Sequence, residues 1–289
     1  MTANVSTHQS EEDIRNEDIL IYLNGKIVPK KEALVSVYDS GFMLGDGVWE
    51  GIRLHHGVLV FIDDHLRRLW TAAKATGIEL PFSKDALITS IHDTLNKNEM
   101  KDGVHVRVMV TRGIKKTPSQ DPRLTISGPN VVIIAEYKKA SSVTKREGIK
   151  LFTSSFRRGR PDYLDPKLNC HSKLHEVQAL IQAIEAGADE ALMLDVHGFV
   201  STCNATNFFM IKDSEVWTST GDYCMNGITR SKIIQVCNQN NIICHQKNFS
   251  LYDTYSADEA FVTGTFGGVT PVTYIDGKKI GQGDFGPMA

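Results

Sequence analysis

Gly227-Ile228-Thr229-Arg230 is the first stretch whose residue types suggest a ligand. A glycine and a hydroxyl side chain stand just ahead of a predicted helix, where unpaired N–H groups and the helix dipole attract an anion. The bland alternative is an ordinary capped helix start. Thr263-Gly264-Thr265-Phe266-Gly267-Gly268 follows a predicted strand and offers a second turn of small residues and N–H groups that could grip a phosphate. Arg67 and Arg68 lie on a predicted helix as either an anion clamp or a solvated face. His171 and His175 stand four apart beside Glu176, a spacing used by helical metal ligands, but no third ligand follows at a matching distance, so no metal site is expected. No Gly-x-Ser-x-Gly, Walker loop or full Gly-x-Gly-x-x-Gly stands in the right context, which leaves hydrolase and NTPase readings without support.

These residues need elements to position them. Ile19 to Leu23 reads as a strand running into an Asn24-Gly25 turn, and Val58 to Ile62 as a second strand. Leu66, Leu69, Trp70 and Ala73 recur with helical spacing before Gly77, which predicts a helix over 63–76. Leu87, Ile88, Ile91 and Leu95 predict another behind Ser83 as N-cap. Val104 to Thr111 alternates as a strand does, and Asn130 to Tyr137 is a β-branched run. Further on, Ile149 to Ser155 reads as a strand and 157–166 as a turn-rich loop. A helix capped by Ser172 follows, with Leu174, Val177, Ile181 and Ile184 on its apolar face and Gly187 at its end. Strands at 190–195, 206–212, 259–264 and 269–275, with a helix at 229–238, complete an α+β layout. The expected division is a disordered leader over 1–18, an N-terminal α/β domain over 19–137, a polar linker over 138–147 and a C-terminal domain over 148–289.

Composition narrows the partners. The chain has 289 residues, 41% hydrophobic and 23% charged, enough to build a core and too apolar for disorder. A formal net charge of −2, with the basic residues dispersed, leaves no stripe for a nucleic-acid backbone. No apolar run reaches membrane-spanning length, and the polar, acidic start has no signal-like apolar segment, so a cytoplasmic protein without nucleic-acid or membrane partners is expected. Five scattered cysteines without a Cys-x-x-Cys pair suit reduced thiols.

In order along the chain, "YLNGKIVP", "GFMLGDGVWEGIR", "DDHLRRL", "VRVMVTRG", "GADEALMLDVHGFV", "NATNFF", "NGITR" and "VTGTFGGVTPVTYIDG" resemble the class IV (fold type IV) pyridoxal-phosphate family. That family holds branched-chain and D-amino-acid aminotransferases, (R)-selective amine transaminases and aminodeoxychorismate lyase, and the resemblance covers 19–287. It implies two α/β domains with pyridoxal 5'-phosphate in the cleft between them, a homodimer, and in many relatives a further helix after the end of this chain. By motif it implies a cofactor-binding set of Arg68, Thr202, Asn207, Gly227, Ile228, Thr229, Thr265 and Phe266, with Arg68 on the phosphate. It implies substrate contacts at Arg107, Leu44, Trp49, Gly267 and Lys115, with Lys116 as the alternative to Lys115.

Two positions depart from the pattern. The place of the lysine that joins the cofactor covalently falls on or next to Asn169, and asparagine cannot take that role. The nearest lysines are Lys167 and Lys173, so the catalytic set is Lys173, Lys167 and Asn169. Close to Lys173, branched-chain relatives keep a tyrosine that approaches the cofactor's reactive carbon, and a lysine there has similar reach. The second departure is Thr202, where relatives place a glutamate against the pyridine nitrogen; a neutral hydroxyl leaves the ring a weaker electron sink. The resulting expectation is an aminotransferase taking an amino donor and a 2-oxo acid acceptor, with Trp49 to Arg53 nearer the branched-chain type. A lyase, or a fold-retaining protein without a standard covalent lysine, are the alternatives.

Overall fold

The computed structural model describes residues 7, 10, 12–283, 286 and 287. Two compact units account for the chain, one formed by Glu11–Lys139 with Asn169–Lys173 and the other chiefly by Ala140–Leu168 with Leu174–Ala289. The disordered leader expected over 1–18 lies partly outside the described residues; among the described ones, Ile14–Asn16 makes a 3-10 turn behind Asp13, whose side chain accepts from Arg15 N–H.

In the first unit, β1 (Leu20–Leu23) and β2 (Lys26–Pro29) form a hairpin about Asn24 and Gly25, both at positive φ, as a tight two-residue turn requires. A short helix α1 (Ser40–Leu44) precedes β3 (Gly47–His55) and β4 (Val58–Leu59). Two longer helices, α2 (Ile62–Ala75) and α3 (Lys84–Lys97), lead to β5 (Val104–Thr111) and β6 (Asn130–Tyr137). The six strands form one antiparallel sheet in the order β2-β1-β6-β5-β3-β4. Alternation decides which face is covered: Val104, Val106, Val108 and Val110 of β5 are all fully buried. Leu66, Leu69 and Ala73 of α2, with Leu87, Ile91 and Leu95 of α3, are buried too, each large side chain contributing about 1.5–3 kcal/mol. Ser83 caps α3 as expected, its hydroxyl accepting from Ala86 N–H.

The longest strand of this unit, β3, has no counterpart among the sequence expectations, because Gly47, Gly51, Glu50 and Arg53 interrupt the apolar alternation. The strand expected at 58–62 shortens to two residues, since Ile62 enters α2 behind Phe61, a residue at positive φ.

The second unit begins with α4 (Ser142–Glu147), a helix inside the stretch expected as a plain polar linker, and β7 (Ile149–Thr153). It continues through α5 (Leu174–Glu185), β8 (Glu190–Leu194), β9 (Val200–Cys203), β10 (Asn207–Lys212) and β11 (Glu215–Thr218). Then come α6 (Ile228–Gln239), β12 (Cys244–Gln246), α7 (Leu251–Tyr255), β13 (Glu259–Gly264), β14 (Gly268–Ile275) and β15 (Lys278–Lys279). Its sheet runs β12-β11-β10-β13-β14-β7-β8-β9, with β15 beside β14 and parallel pairs at β11–β12, β14–β7 and β7–β8.

Helix α5 corrects two expectations. Ser172 does not cap it; the helix begins at Leu174, and the Ser172 hydroxyl donates to the Gly45 carbonyl. Its large apolar residues are not the buried ones. Ala179 and Ala183 are fully buried against Ala191 and Met193 of β8, whereas Leu174, Val177, Ile181 and Ile184 stay 48–71% exposed. Small side chains let the helix backbone approach the sheet closely, which turns the bulky stripe outward.

Candidate active site

In the first unit, the five residues Asn169–Lys173 lie along β3. Trp49 N–H donates to the Asn169 carbonyl at 3.0 Å, and the Asn169 amide returns a bond to the Trp49 carbonyl at 2.7 Å. The Trp49 indole N–H donates to the Cys170 carbonyl at 3.0 Å, and His171 N–H to the Gly47 carbonyl at 2.9 Å. Gly47 is needed here, because a Cβ would come within 2.9 Å of the His171 ring. The Arg107 guanidinium, projecting from β5, stands 4.2 Å over the Trp49 ring. Asn169, Lys173, Trp49 and Arg107, singled out separately in the sequence, therefore belong to one neighbourhood.

Asn169 is buried with its Oδ1 unbonded, which fits a structural peg better than a nucleophile. His171 gave no signal of its own beyond a spacing that suggested metal. Its Nε2 is buried without a partner, and burial, helped by Arg107 and Lys173 and opposed by a backbone bond at Val48 and by Asp39, lowers its pKa. The ring is therefore neutral at neutral pH, next to the half-buried Lys173. His175, the other member of the sequence pair, bonds the Arg157 carbonyl at 2.7 Å in the second unit. Lys167 is exposed.

Arg68 meets Glu50 as a fork, Nε to Oε1 at 2.6 Å and an Nη to Oε2 at 2.8 Å, and His65 Nδ1 lies 2.7 Å from the same Oε2. Burial would push the Glu50 carboxyl up, but Arg68 and His65 together outweigh it and hold the group below the ordinary carboxylate value. The fork fixes the Arg68 guanidinium in one orientation, whereas Arg67 is exposed and pairs with Asp64. Leu44 ends α1 and is partly exposed. Lys115 is fully buried with its ammonium on the Asp121 carbonyl at 3.0 Å, and Lys116 is exposed. The substrate role expected of Lys115 therefore has no support in its own contacts.

In the second unit, Asn207 is the hub. Its amide donates to the Met225 carbonyl at 2.9 Å and to the Thr202 hydroxyl at 3.3 Å. Gly227 packs so close that a Cβ would come within 2.3 Å of the Asn207 oxygen. Gly227 is the N-cap of α6 without any side-chain cap bond, so the first-turn N–H groups at Ile228 and Thr229 are left to another acceptor. Asn207 also pairs across the sheet with Thr263, whose buried hydroxyl has no partner, and Thr263 leads into the Thr265-Phe266-Gly267 turn. Lys145 of α4 donates to the carbonyls of Gly267 and Val269 and fastens that turn from behind. An uncapped helix start and an orphaned hydroxyl on the two sides of Asn207 fit a phosphate-bearing group.

The Thr202 hydroxyl donates to the Thr206 carbonyl at 2.8 Å and accepts from Asn207, so both of its roles are filled within the β9–β10 turn. Behind it, Thr206 donates to Glu190 at 2.7 Å; that carboxyl is buried, and desolvation pushes its pKa up to about 7. Glu190 gave no sequence signal beyond its place in a buried strand. A hollow elsewhere in this unit, lined by Arg160, Pro161, Asp162, Val196, His197 and Tyr223, contains none of the predicted residues.

The family model for class IV amino-transferases matches residues 47–275, which span every element from β3 to β14. The chain belongs to the class IV aminotransferase family. It is 38% identical over 273 residues to branched-chain-amino-acid aminotransferase-like protein 2 of Arabidopsis thaliana, with 94% of this chain and 49% of that protein covered. The chain thus spans about half the length of that relative. It is 32% identical over 282 residues to the branched-chain-amino-acid aminotransferase of Pseudomonas aeruginosa, covering 94% of this chain and 90% of that one. Among solved structures, the T.th. branched-chain amino acid aminotransferase with pyridoxamine 5'-phosphate superposes with a TM-score of 0.88 at 29% identity, covering 93% and 90% of the two chains. The fold of this family member is accordingly the mixed two-domain one of the branched-chain aminotransferases.

Proposed function

We propose that this class IV family member is a pyridoxal-phosphate-dependent aminotransferase that moves an amino group between an amino acid or amine and a 2-oxo acid. The observation that carries the reading is the fastening of Asn169–Lys173 to β3, which brings a half-buried lysine into the neighbourhood of Arg107 and Trp49. When bound, pyridoxal phosphate supplies an aldehyde that condenses with amines and a ring that accepts electrons as the α-proton leaves. The chain's own residues do the rest. Gly227, Ile228, Thr229, Thr265 and Phe266, shaped by Asn207, would hold the phosphate. Arg68, fixed in one orientation by Glu50, keeps the anion-binding role that the family resemblance gives it. Arg107 binds the substrate carboxylate as a planar fork over Trp49. Lys173, rather than the exposed Lys167, would be the lysine that the cofactor's aldehyde takes up, and its amine, once displaced by the substrate amine, would move the proton from the substrate α-carbon; the neutral His171 adds no positive charge beside it.

Because Thr202 already donates to Thr206, it offers the pyridine nitrogen no charge and only a shared hydroxyl. That favours the lyase reading as the second candidate. The two separate on one experiment. With pyridoxal phosphate bound and an amine supplied without acceptor, an aminotransferase converts the cofactor to pyridoxamine phosphate, whereas a lyase releases a keto product with the cofactor unchanged. Borohydride trapping followed by mass mapping should find the adduct on Lys173. Lys173→Ala should lower turnover by about 10²–10⁴-fold while Lys167→Ala leaves it near wild type. An adduct on Lys167, or none, would sink this assignment.

The chain is further inferred to be a cytoplasmic homodimer. Five cysteines without a disulfide among the described residues suit a reducing compartment. The outward stripe of α5 in one unit, and Leu34, Val37 and Phe42, 67–75% exposed in the other, are apolar surfaces that a second copy could cover.

A further inference from the structure

At the tip of the β3–β4 hairpin, three side chains outside the machinery described so far converge. His55 ends β3, His56 occupies the turn, and Asp102 stands in the segment between α3 and β5. Their candidate ligand atoms all lie within 4.8 Å of one another. We propose that His55, His56 and Asp102 form a surface site for a divalent transition-metal ion of the zinc, nickel or copper class.

Geometry carries the argument. Each imidazole Nδ1 lies 3.6 Å from a different oxygen of the one carboxylate. That is too far for a hydrogen bond, which needs about 2.7–3.2 Å. With one ligand atom from each residue the set lies within 4.8 Å, wider than the roughly 3.3–3.4 Å edge of a tetrahedron with bonds of about 2.0–2.1 Å, so the rings must turn inward to close on an ion. The two ring centroids are 4.1 Å apart, so both imidazoles crowd the same side of the hairpin tip.

The backbone holds this arrangement. His56 sits at φ 47°, which suits the first position of a hairpin turn followed by Gly57 at φ 77°. Its N–H donates to Asp102 Oδ1 at 2.6 Å. Arg53 is a cation within electrostatic reach of Asp102, and its guanidinium donates to the Lys138 carbonyl at 2.5 Å. All three ligands are 48–78% exposed, so the ion keeps water in its remaining position and the rings are free to turn inward towards it. Two imidazoles with one carboxylate select imidazole-binding metals over magnesium or calcium, which prefer all-oxygen sets. A bound ion would tie the hairpin tip to the loop before β5. The sequence alone hides the site, because Asp102 is 46 residues beyond His56.

The test is a titration of the full-length protein with Co²⁺ as spectroscopic probe and Zn²⁺ as competitor, beside His55→Gln, His56→Asn and the double variant. Asparagine keeps the left-handed turn and glutamine is tolerated at a strand end, so folding is preserved and circular dichroism verifies it. The expected result is one equivalent of Co²⁺ with a visible d–d band, displaced by Zn²⁺ and not by Mg²⁺ or Ca²⁺. Each single variant should weaken binding at least tenfold, and the double variant should abolish the band. Equal binding by wild type and double variant, or displacement by Mg²⁺, overturns the proposal.

Discussion

Glu50 shows how one buried carboxylate can organise a neighbourhood. It receives Arg68 and His65 at the same time, and removing its charge strands a guanidinium that had been placed for it. Glu50→Gln should destabilise the chain by about 3–5 kcal/mol, read as a fall in the urea midpoint without a change in slope. A loss below about 1 kcal/mol would mean that the fork is as weak as a surface pair. Glu190 makes the opposite case, a buried carboxyl with one hydroxyl partner. Its pKa in the folded chain is about 7 against an ordinary 4.5, so between those values the folded state holds a proton that the unfolded state has released. Stability should therefore be greatest below that window and fall as pH rises through it, by roughly 3 kcal/mol in all. Glu190→Gln should flatten this part of the stability–pH curve; an unchanged slope would assign the dependence to other groups.

Among the elements, α5 separates what periodicity says from what packing does. The spacing of Leu174, Val177, Ile181 and Ile184 marks an amphipathic helix correctly, yet periodicity cannot say which of two apolar faces meets the chain's own sheet. Ala179 and Ala183 take that place because a helix face of alanines comes nearest to β8. If the outer stripe is a subunit contact, Ile181→Glu should convert a dimer to monomer in sedimentation velocity with little change in far-UV circular dichroism. A monomeric wild type, or a variant that still dimerises, would remove α5 from the interface. Strand β3 teaches a similar lesson. Its glycines and charged residues weaken any strand signal, but Gly47 is small because His171 lies against it and Glu50 is charged because Arg68 meets it.

For the whole molecule, a cofactor held by the folded state stabilises it by mass action. Pyridoxal phosphate at about 100 times its Kd should add about 2.7 kcal/mol and raise the melting temperature by several degrees, an effect that inorganic phosphate reproduces only in part. No shift with pyridoxal phosphate would contradict the proposed site.

The sequence by itself determined what rests on local chemistry. Asn24-Gly25 turns a hairpin, Ser83 caps a helix, β5 alternates, and Gly227 stands at a helix start. The ordered motifs carried family membership, and counting between them gave the expectation that Asn169 and Thr202 depart from the family pattern. Only tertiary structure could decide what depends on residues far apart in the chain. Asn169–Lys173 folds back onto β3 from more than a hundred residues away, His171 becomes neutral through burial there, Lys115 commits its charge to a carbonyl, and Asp102 meets two histidines. Sequence spacing reports neighbours along one helix or strand, whereas pKa, burial and metal geometry depend on which strands become neighbours in space, and that is settled by packing.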